Sequence, residues 1–179
     1  IFTSGTTGMP KGIRLKQIGV LNAVKFTNER YQVGINDRVL ALTNLCHDMS
    51  MYDIFGMFVA GGTIVIPEKE GARDPQHWMK IMKKYQVTIF NSVPAFAEML
   101  FTQEEDAIRE STTHIRLVIH GGDFLKQSLA DQWISLGHTL QLVNVGGPTE
   151  TSLWSVYHDV TRKDVVSGNI PYGKPIANM

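Results

Sequence analysis

The 179-residue chain lacks the features that mark several classes of protein. Its one cysteine, Cys46, excludes an internal disulfide framework and is compatible with a reducing cytoplasm. Its 17 basic and 17 acidic residues cancel, so the chain has no excess of positive charge that would indicate nucleic-acid binding. It has no signal peptide and no run near the roughly 18 apolar residues of a membrane span. These absences predict a globular cytoplasmic protein without nucleic-acid or membrane partners.

The sequence also lacks a zinc-binding motif, internal repeats and linkers. The six histidines include no HExxH pair, so we expect no zinc site. Neighbouring residues on a strand face opposite sides, so Cys46 is expected to be a small buried side chain that does not bond His47. There is no internal repeat, no linker and no initiator methionine, and the chain stops on a turn in IPYGKPIANM. We therefore expect an internal piece of a longer polypeptide.

Short β-branched segments alternate with helical patterns along the chain. Asp74 is placed to cap a helix that starts at Pro75, with Trp78, Ile81, Met82 and Tyr85 on one face. A second helix is expected from a Ser128 cap to Gly137, and the stretch FTQEEDAIRESTTH is interpreted as a helix end and a surface loop. This alternation predicts an α/β fold of layered sheets flanked by helices, with a largely parallel sheet. The predicted strands are 37–45, 61–67, 87–93, 115–122 and 140–147.

The opening stretch, IFTSGTTGMPKG, has the chemistry of a polyphosphate grip. Its glycines let backbone amides approach an anion, its hydroxyls are donors, and its lysine is a mobile positive charge. No Walker A spacing can be found in it, which argues against a Walker-type ATPase. The candidate residues are Ser4, Gly5, Thr6, Thr7, Gly8 and Lys11.

The string TSGTTGMPKG resembles the phosphate loop of the adenylate-forming superfamily, which includes nonribosomal peptide synthetase adenylation domains, acyl- and aryl-CoA ligases and luciferases. The resemblance implies that the loop holds the β- and γ-phosphates of ATP. It also implies that residues 1–179 are an internal fragment of an AMP-binding adenylation domain. The fragment would hold a partial core of the large subdomain and lack the small C-terminal subdomain with its catalytic lysine, so it is expected to be inactive or nearly so by itself.

A second motif, NVGGPTE, resembles the other nucleotide motif of the superfamily. The resemblance implies that Thr149 contacts the α-phosphate, that Glu150 coordinates Mg²⁺, and that the preceding residues lie along adenine. The family commonly has an aromatic residue where this chain has Gly146, which predicts a weaker stacking face. The turn HGGD matches the one that touches adenosine. Together these matches imply the catalytic residues Lys11, Thr149 and Glu150, and further ATP contacts at Gly121, Gly122, Asp123, Asn144, Val145, Gly146 and Gly147.

Asp48, in HDMSMYDIFG, indicates the kind of substrate. By position alone, Asp48 or Ser50 could be the N-cap of a helix. In amino-acid-activating members of the superfamily an aspartate at this position pairs with the substrate ammonium, and a buried ammonium requires such a partner. The matching pocket contains no second acid for a basic side chain. It comprises Asp48, Met49, Tyr52, Asn91, Val118, His120, Val145, Leu153 and Trp154.

The aspartate, tyrosine, asparagine and tryptophan of this set resemble cysteine-activating domains of thiazoline-forming synthetases, whereas His120 departs from the small residue expected there. The resemblance implies ATP- and Mg²⁺-dependent formation of an aminoacyl-AMP, with cysteine as the favoured amino acid and serine, threonine or another small residue behind it. The aminoacyl group would then pass to the phosphopantetheine of a carrier domain, beside condensation or cyclisation domains. Two alternatives stay open: an acyl- or aryl-CoA ligase, and a non-catalytic ATP-binding remnant.

Overall fold

The computed structural model describes residues 1–3, 9, 11–137 and 139–179. Its centre is a seven-stranded sheet in the order β4-β3-β5-β6-β7-β8-β9. Neighbouring strands from β4 to β7 are parallel, and β8 and β9 are antiparallel to their neighbours. A separate antiparallel pair joins β1 (Phe2–Thr3) to β2 (Lys11–Gly12). The sheet strands are β3 (Arg38–Ala41), β4 (Thr63–Val65), β5 (Ile89–Ser92), β6 (Leu117–His120), β7 (Gln141–Gly146), β8 (Val156–Val160) and β9 (Lys174–Pro175).

Helices connect the strands. They are α1 (Gln17–Arg30), α2 (Met57–Ala60), α3 (Pro75–Tyr85), α4 (Pro94–Leu100), α5 (Glu105–Thr112), α6 (Gln127–Ser135) and α7 (Arg162–Ser167). A π-helical turn, Tyr52–Gly56, leads directly into α2, and single 3₁₀ turns cover Lys69–Gly71 and Thr149–Thr151. In the part of the chain that the structure describes, no helix is long and apolar enough to cross a membrane.

Two hydrophobic clusters lie on the two faces of the sheet. Successive strand residues point to opposite faces, so Phe90 packs with Trp78 of α3 and Trp133 of α6, whereas Ile89 packs on the side of α1 and Tyr52. Both faces are covered by helices, as the near-continuous apolar strands require. The predicted layered α/β fold with a mainly parallel sheet is confirmed.

The local predictions have mixed outcomes. Asp74 does cap α3, where its Oδ1 accepts a hydrogen bond of 2.9 Å from the backbone N–H of Gln76. Trp78 and Met82 are buried as expected, but Tyr85 is exposed. The predicted Ser128 cap is wrong, because α6 starts at Gln127 and its N-cap residue, Lys126, makes no side-chain cap bond.

Two further expectations are also wrong. The stretch interpreted as a helix end and loop contains α5, whose first-turn acids Glu105 and Asp106 complement the helix dipole. Cys46 is exposed, because β3 ends at Ala41 and Cys46 lies in the turn that follows. Both predictions failed because they depend on where the neighbouring helix or strand ends.

Candidate functional site

The functional candidates gather where the parallel strands end. Strands β3, β5, β6 and β7 run in one direction, so their carboxyl ends meet at one edge of the sheet. In open α/β sheets ligands bind at this edge. A surface cavity of about 300 Å³ lined by Arg30, Tyr31 and Asp159 lies instead beside the amino end of β7, and it contains none of the predicted residues.

Asp48 and Thr149 are in direct contact, although 101 positions separate them in the chain. The Thr149 hydroxyl donates a hydrogen bond of 2.7 Å to Asp48 Oδ2, and His47 Nδ1 lies 3.2 Å from Asp48 Oδ1. Burial disfavours ionisation of Asp48, but the bonds from His47 and Thr149 outweigh it, so the pKa of Asp48 is lowered. The hydrogen bond to Asp48 in turn raises the pKa of His47. The carboxylate is therefore ionised and almost buried, as the binding of an ammonium group requires.

The capping alternative for Asp48 is not what the structure shows. The backbone N–H groups of Ser50 and Met51 donate to the carbonyls of His47 and Asp48, and Met51, which precedes the π-helical turn Tyr52–Gly56, makes no side-chain cap bond. Ser50 donates its hydroxyl hydrogen bond backward to the carbonyl of His47, at 2.7 Å. The Asp48 carboxylate points instead toward the loop after β7.

The turn after β6 lies beside His47. Gly122 has a φ of +77°, and a Cβ atom there would be only 3.3 Å from both His47 Cε1 and Val93 Cγ1. A side chain at this position would be strained and crowded, so glycine allows the loops after β3, β5 and β6 to approach one another. The adjacent Gly121 is buried, whereas Asp123 is exposed and accepts a bond of 2.7 Å from the Phe124 N–H.

The predicted second nucleotide motif, residues 144–150, spans the end of β7 and the loop that follows it. Asn144 donates a hydrogen bond of 2.9 Å to the carbonyl of Pro171, which holds the chain before Tyr172 against β7. A Cβ atom at Gly146 would lie 2.6 Å from Tyr172 Cδ1. Tyr172 is 49% exposed, so its ring stands over Gly146 and remains accessible. An aromatic ring from further along the chain therefore occupies the space beside Gly146.

Glu150 lies on the 3₁₀ turn Thr149–Thr151 and is exposed. No group of three or more histidine, cysteine, aspartate or glutamate side chains that could hold a metal occurs within residues 1–3, 9, 11–137 and 139–179. A single exposed carboxylate beside a predicted phosphate contact fits Mg²⁺, which typically takes one or two carboxylates plus phosphate oxygens and water. The donor set is therefore compatible with a magnesium ion that arrives with a nucleotide.

Six of the predicted pocket residues lie together on the α1 face of the sheet or at its edge. The Tyr52 and Trp154 rings are 5.3 Å apart, and Tyr52 donates a bond of 3.0 Å to Asn28 Oδ1. Ser152 and Leu153 both have positive φ, at 67° and 78°. For non-glycine residues this costs energy and is typical of functional loops, and it turns Leu153 and Trp154 into the interior. The six residues are Met49, Tyr52, Asn91, Val145, Leu153 and Trp154.

Val118 and His120 face the other side of the sheet. Asn91 pairs with Ile119 in the parallel ladder, so the residues on either side of Ile119 point away from Asn91. His120 Nε2 accepts a bond of 2.9 Å from the Trp133 indole, and Nδ1 donates one of 3.0 Å to the Ser92 carbonyl. Complete burial lowers the pKa of His120 to about 4, so the ring is neutral. The structure does not bring these two residues together with the other pocket candidates.

Asp53 was missed by the sequence reasoning and lies next to the pocket. It is 1% exposed, and its Oδ1 accepts a bond of 2.8 Å from Asn91 Nδ2. Burial raises the pKa of Asp53 to about 8, and the Asn91 bond offsets this only in part. The pocket region therefore does include a second acid. The available signal was a carboxylate within the apolar stretch MSMYDIFGMF.

The structure describes only part of the predicted phosphate loop. Ser4, Gly5, Thr6, Thr7 and Gly8 lie outside the described residues, and their roles stay predictions. Lys11 is exposed on β2, where it pairs with Thr3.

Comparison with known proteins supports one family. The sequence profile of the AMP-binding enzymes matches residues 1–179. The chain is 41% identical to the "Anguibactin system regulator" of Vibrio anguillarum over 98% of this chain and 17% of that protein. It is 36% identical to pyochelin synthetase PchF of Pseudomonas aeruginosa over 98% of this chain and 10% of that protein.

Solved structures agree with the sequence relatives. The nonribosomal peptide synthetase FmoA3, in a form bound to alpha-methyl-L-serine-AMP, matches with a TM-score of 0.86 and 35% identity. The match covers 99% of this chain and 20% of that one. The chain thus spans no more than a fifth of these three proteins.

Proposed function

The chain belongs to the AMP-binding enzyme family, and on this premise we propose that it is the nucleotide- and substrate-binding part of an enzyme that adenylates an amino acid. The amino-acid carboxylate attacks the α-phosphorus of ATP, pyrophosphate leaves, and an aminoacyl-AMP is formed. The observation that carries the proposal is the contact of 2.7 Å between Asp48 and Thr149. It brings the proposed ammonium partner and the proposed α-phosphate contact to one point.

Asp48 is proposed to bind the α-ammonium of the amino acid. Its carboxylate is ionised, nearly buried and within reach of both His47 and Thr149. An ammonium group placed there would exchange its hydration shell for a fixed negative charge, which fixes the position of the neighbouring carboxylate. His47 is proposed to support Asp48 in this role through the contact of 3.2 Å between its Nδ1 and Asp48 Oδ1, and the pKa of its imidazole is raised by the hydrogen bond to that carboxylate.

The phosphates are proposed to lie between the opening loop and the loop after β7. The substrate carboxylate is ionised at neutral pH, so the reaction requires no protein nucleophile and depends on positioning and charge neutralisation. Thr149 is proposed to contact the α-phosphate, and Lys11 with the opening loop to receive the departing pyrophosphate. Glu150 would hold Mg²⁺, which supplies charge neutralisation at the phosphate oxygens when bound.

The adenosine is proposed to lie along the loops after β6 and β7. Gly121, Gly122 and Asp123 form one side, and residues 144–147 the other. Tyr172 supports this placement, because its half-exposed ring covers Gly146 and offers the stacking face expected at that position.

The amino-acid side chain is proposed to enter the space bounded by Met49, Tyr52, Asn91, Val145 and the Leu153–Trp154 segment. These positions favour a small substrate, with cysteine first and serine or threonine behind it. The FmoA3 complex with alpha-methyl-L-serine-AMP supports a small side chain with a polar end. Val118 and His120 are left out of this pocket because they face Trp133.

Later steps are proposed from the family alone. The aminoacyl group passes to the phosphopantetheine thiol of a carrier domain in the same synthetase, which also has condensation or cyclisation domains. The names of two similar proteins, the pyochelin synthetase PchF and the nonribosomal peptide synthetase FmoA3, support a synthetase as the parent protein.

Replacement of Asp48 by asparagine in the full-length polypeptide tests the proposal. The amide can still accept the Thr149 bond but carries no charge for the ammonium, so amino-acid-dependent ATP–pyrophosphate exchange should fall by about 10²-fold or more. Asp106→Asn, at an exposed position on α5, is the matched control and should leave exchange unchanged. Undiminished exchange in Asp48→Asn, or exchange driven only by carboxylic acids that lack an amine, would instead support an acyl- or aryl-CoA ligase.

A further inference from the structure

Asp53 is a buried acid that the proposed mechanism does not use. It lies on the π-helical turn Tyr52–Gly56, a local feature often found at functional sites. Its Oδ2 atom has no hydrogen-bond partner among the residues that the structure describes. A buried polar atom without a partner costs free energy, so a native site normally provides one from water or a ligand.

The amide of Asn91 is oriented by its neighbours. Its Nδ2 lies 2.8 Å from Asp53 Oδ1 and 3.3 Å from the Met49 carbonyl, and both of these atoms accept hydrogen bonds. Both amide hydrogens are therefore used within the protein. The remaining atom, Oδ1, is an acceptor, and it too has no partner within the described ranges.

The surroundings of Asp53 favour its neutral form. Tyr52, Met57 and Ile89 of the adjoining cluster are fully buried, and no cation lies within salt-bridge distance of Asp53 in the described part of the chain. Burial raises the pKa of the carboxyl to about 8, so at neutral pH the acid keeps its proton and Oδ2 is available as a donor. The pair thus leaves one buried donor, Asp53 Oδ2, and one buried acceptor, Asn91 Oδ1, without a partner among the described residues.

A group that both accepts and donates a hydrogen bond complements this pair. We propose that Asp53, together with Asn91, is a specificity-determining residue that selects an amino acid whose short side chain ends in a hydroxyl or thiol. The hydroxyl or thiol accepts a hydrogen bond from Asp53 and donates one to Asn91 Oδ1. This inference rests on the proposed adenylation of an amino acid by the same site.

Other side chains fit the pair less well. An aliphatic side chain makes neither hydrogen bond, and the Asp53 carboxyl can then donate only to Asn91 Oδ1. A basic side chain requires the ionised acid, which burial opposes. A carboxylate side chain finds a single donor and no cation.

The test is ATP–pyrophosphate exchange by the full-length polypeptide with serine, cysteine, 2-aminobutyrate and ornithine. 2-Aminobutyrate has a methyl group where serine has its hydroxyl and cysteine its thiol. We expect the wild type to prefer serine or cysteine over 2-aminobutyrate by at least about 10²-fold in kcat/KM. In Asp53→Leu the preference should fall below about 10-fold, mainly through a higher KM for the polar substrate.

Asp53→Asn distinguishes hydrogen bonding from charge. Its amide is neutral, can accept from Asn91 Nδ2 and can donate to the substrate, so the preference should be retained. Exchange with 2-aminobutyrate in Asp53→Leu shows that the variant is folded. If that variant is inactive with every substrate, Asn91→Leu, which removes the acceptor, takes its place and should abolish the same preference. Asp106→Leu is the exposed control.

The outcomes separate this inference from the proposed function. Two results would overturn the role of Asp53 but not the proposed adenylation. In the first, the wild type exchanges equally well with serine, cysteine and 2-aminobutyrate; in the second, exchange is greatest with ornithine. An unchanged preference in Asp53→Leu would do the same. Absence of amino-acid-dependent exchange in the wild type would overturn both.

Discussion

Asp48 and Asp53 show how far the surroundings of a residue decide its chemistry. They lie on one continuous stretch, HDMSMYD, and both are nearly buried. Asp48 receives hydrogen bonds from His47 and Thr149, so it is ionised. Among the described residues Asp53 has a hydrogen bond only from the amide of Asn91, so burial dominates and its pKa rises to about 8. The same residue type is thus ionised at one end of the stretch and favoured in its neutral form at the other.

His120 gives a residue-scale prediction for the pH dependence of folding. Its pKa in the folded state is about 4, below the value of about 6.5 for an unfolded chain. The unfolded state therefore binds more protons between these values, so the stability present above about pH 6.5 is lost as the pH falls toward 4. His120→Leu removes the partner of the Trp133 N–H and the imidazole bond to the Ser92 carbonyl, and should cost about 1–3 kcal/mol at pH 7.

That cost should shrink as the pH falls, because the leucine variant does not titrate. Urea denaturation at pH 7.5 and at pH 4.5, followed by the fluorescence of the three buried tryptophans, measures the difference. His114→Gln, at an exposed position, is the control and should behave as the wild type at both pH values. A cost that stays constant with pH would contradict the buried neutral state of His120.

At the scale of elements, the connection between β7 and β8 does most to assemble the site. Within ten residues it contains the 3₁₀ turn with Thr149 and Glu150, two consecutive residues with positive φ, and the start of the next strand. Its close packing places Thr149 on Asp48 and Trp154 against Tyr52. The two residues with positive φ lie between the proposed nucleotide-binding turn and the proposed substrate pocket.

Gly147 provides the element-scale prediction. Its φ is +142°, and a Cβ atom there would lie 2.9 Å from the Ser155 backbone nitrogen. Gly147→Ala should therefore reduce the free energy of unfolding by about 1–3 kcal/mol and weaken exchange in the full-length polypeptide. Gly34→Ala is the matched control, because a Cβ atom at Gly34 meets no atom of the described residues within 4 Å. Equal urea midpoints for the two variants would show that the loop relaxes without cost.

At the scale of the whole molecule, the sheet brings distant parts of the sequence together at both of its ends. At the amino end, Arg116 before β6 reaches Asp37 before β3, with a distance of 2.6 Å from Nη2 to Oδ2, and also donates to the carbonyls of Tyr31 and Gln32. Asp37 is further held by Thr88 and the Gly34 N–H. Burial disfavours the ionised Asp37, but these bonds outweigh it and lower its pKa.

Arg116→Met is the prediction at this scale. It leaves Asp37 nearly buried without its cation and should cost about 3 kcal/mol above pH 5. Because the folded pKa of Asp37 is lowered, the stability from this pair is present above about pH 4 and is lost as the pH falls below it. The difference from wild type should therefore shrink in acid. Arg73→Met, at an exposed position, should change the urea midpoint little. A shift no larger than that of the control would contradict a structural role for the pair.

The sequence alone is enough for the fold class, the central strands and the α3 cap, because these depend on local periodicity and on residues close to one another in the chain. It also predicted the family and the approximate nucleotide motifs. The sequence could not predict in which direction the side chains at the strand ends and in the adjoining segments point. Val118 and His120 turn toward Trp133, Asp53 joins Asn91, and Tyr172 covers Gly146. Each of these depends on strand register and on contacts between segments far apart in sequence, and only the packed sheet decides them.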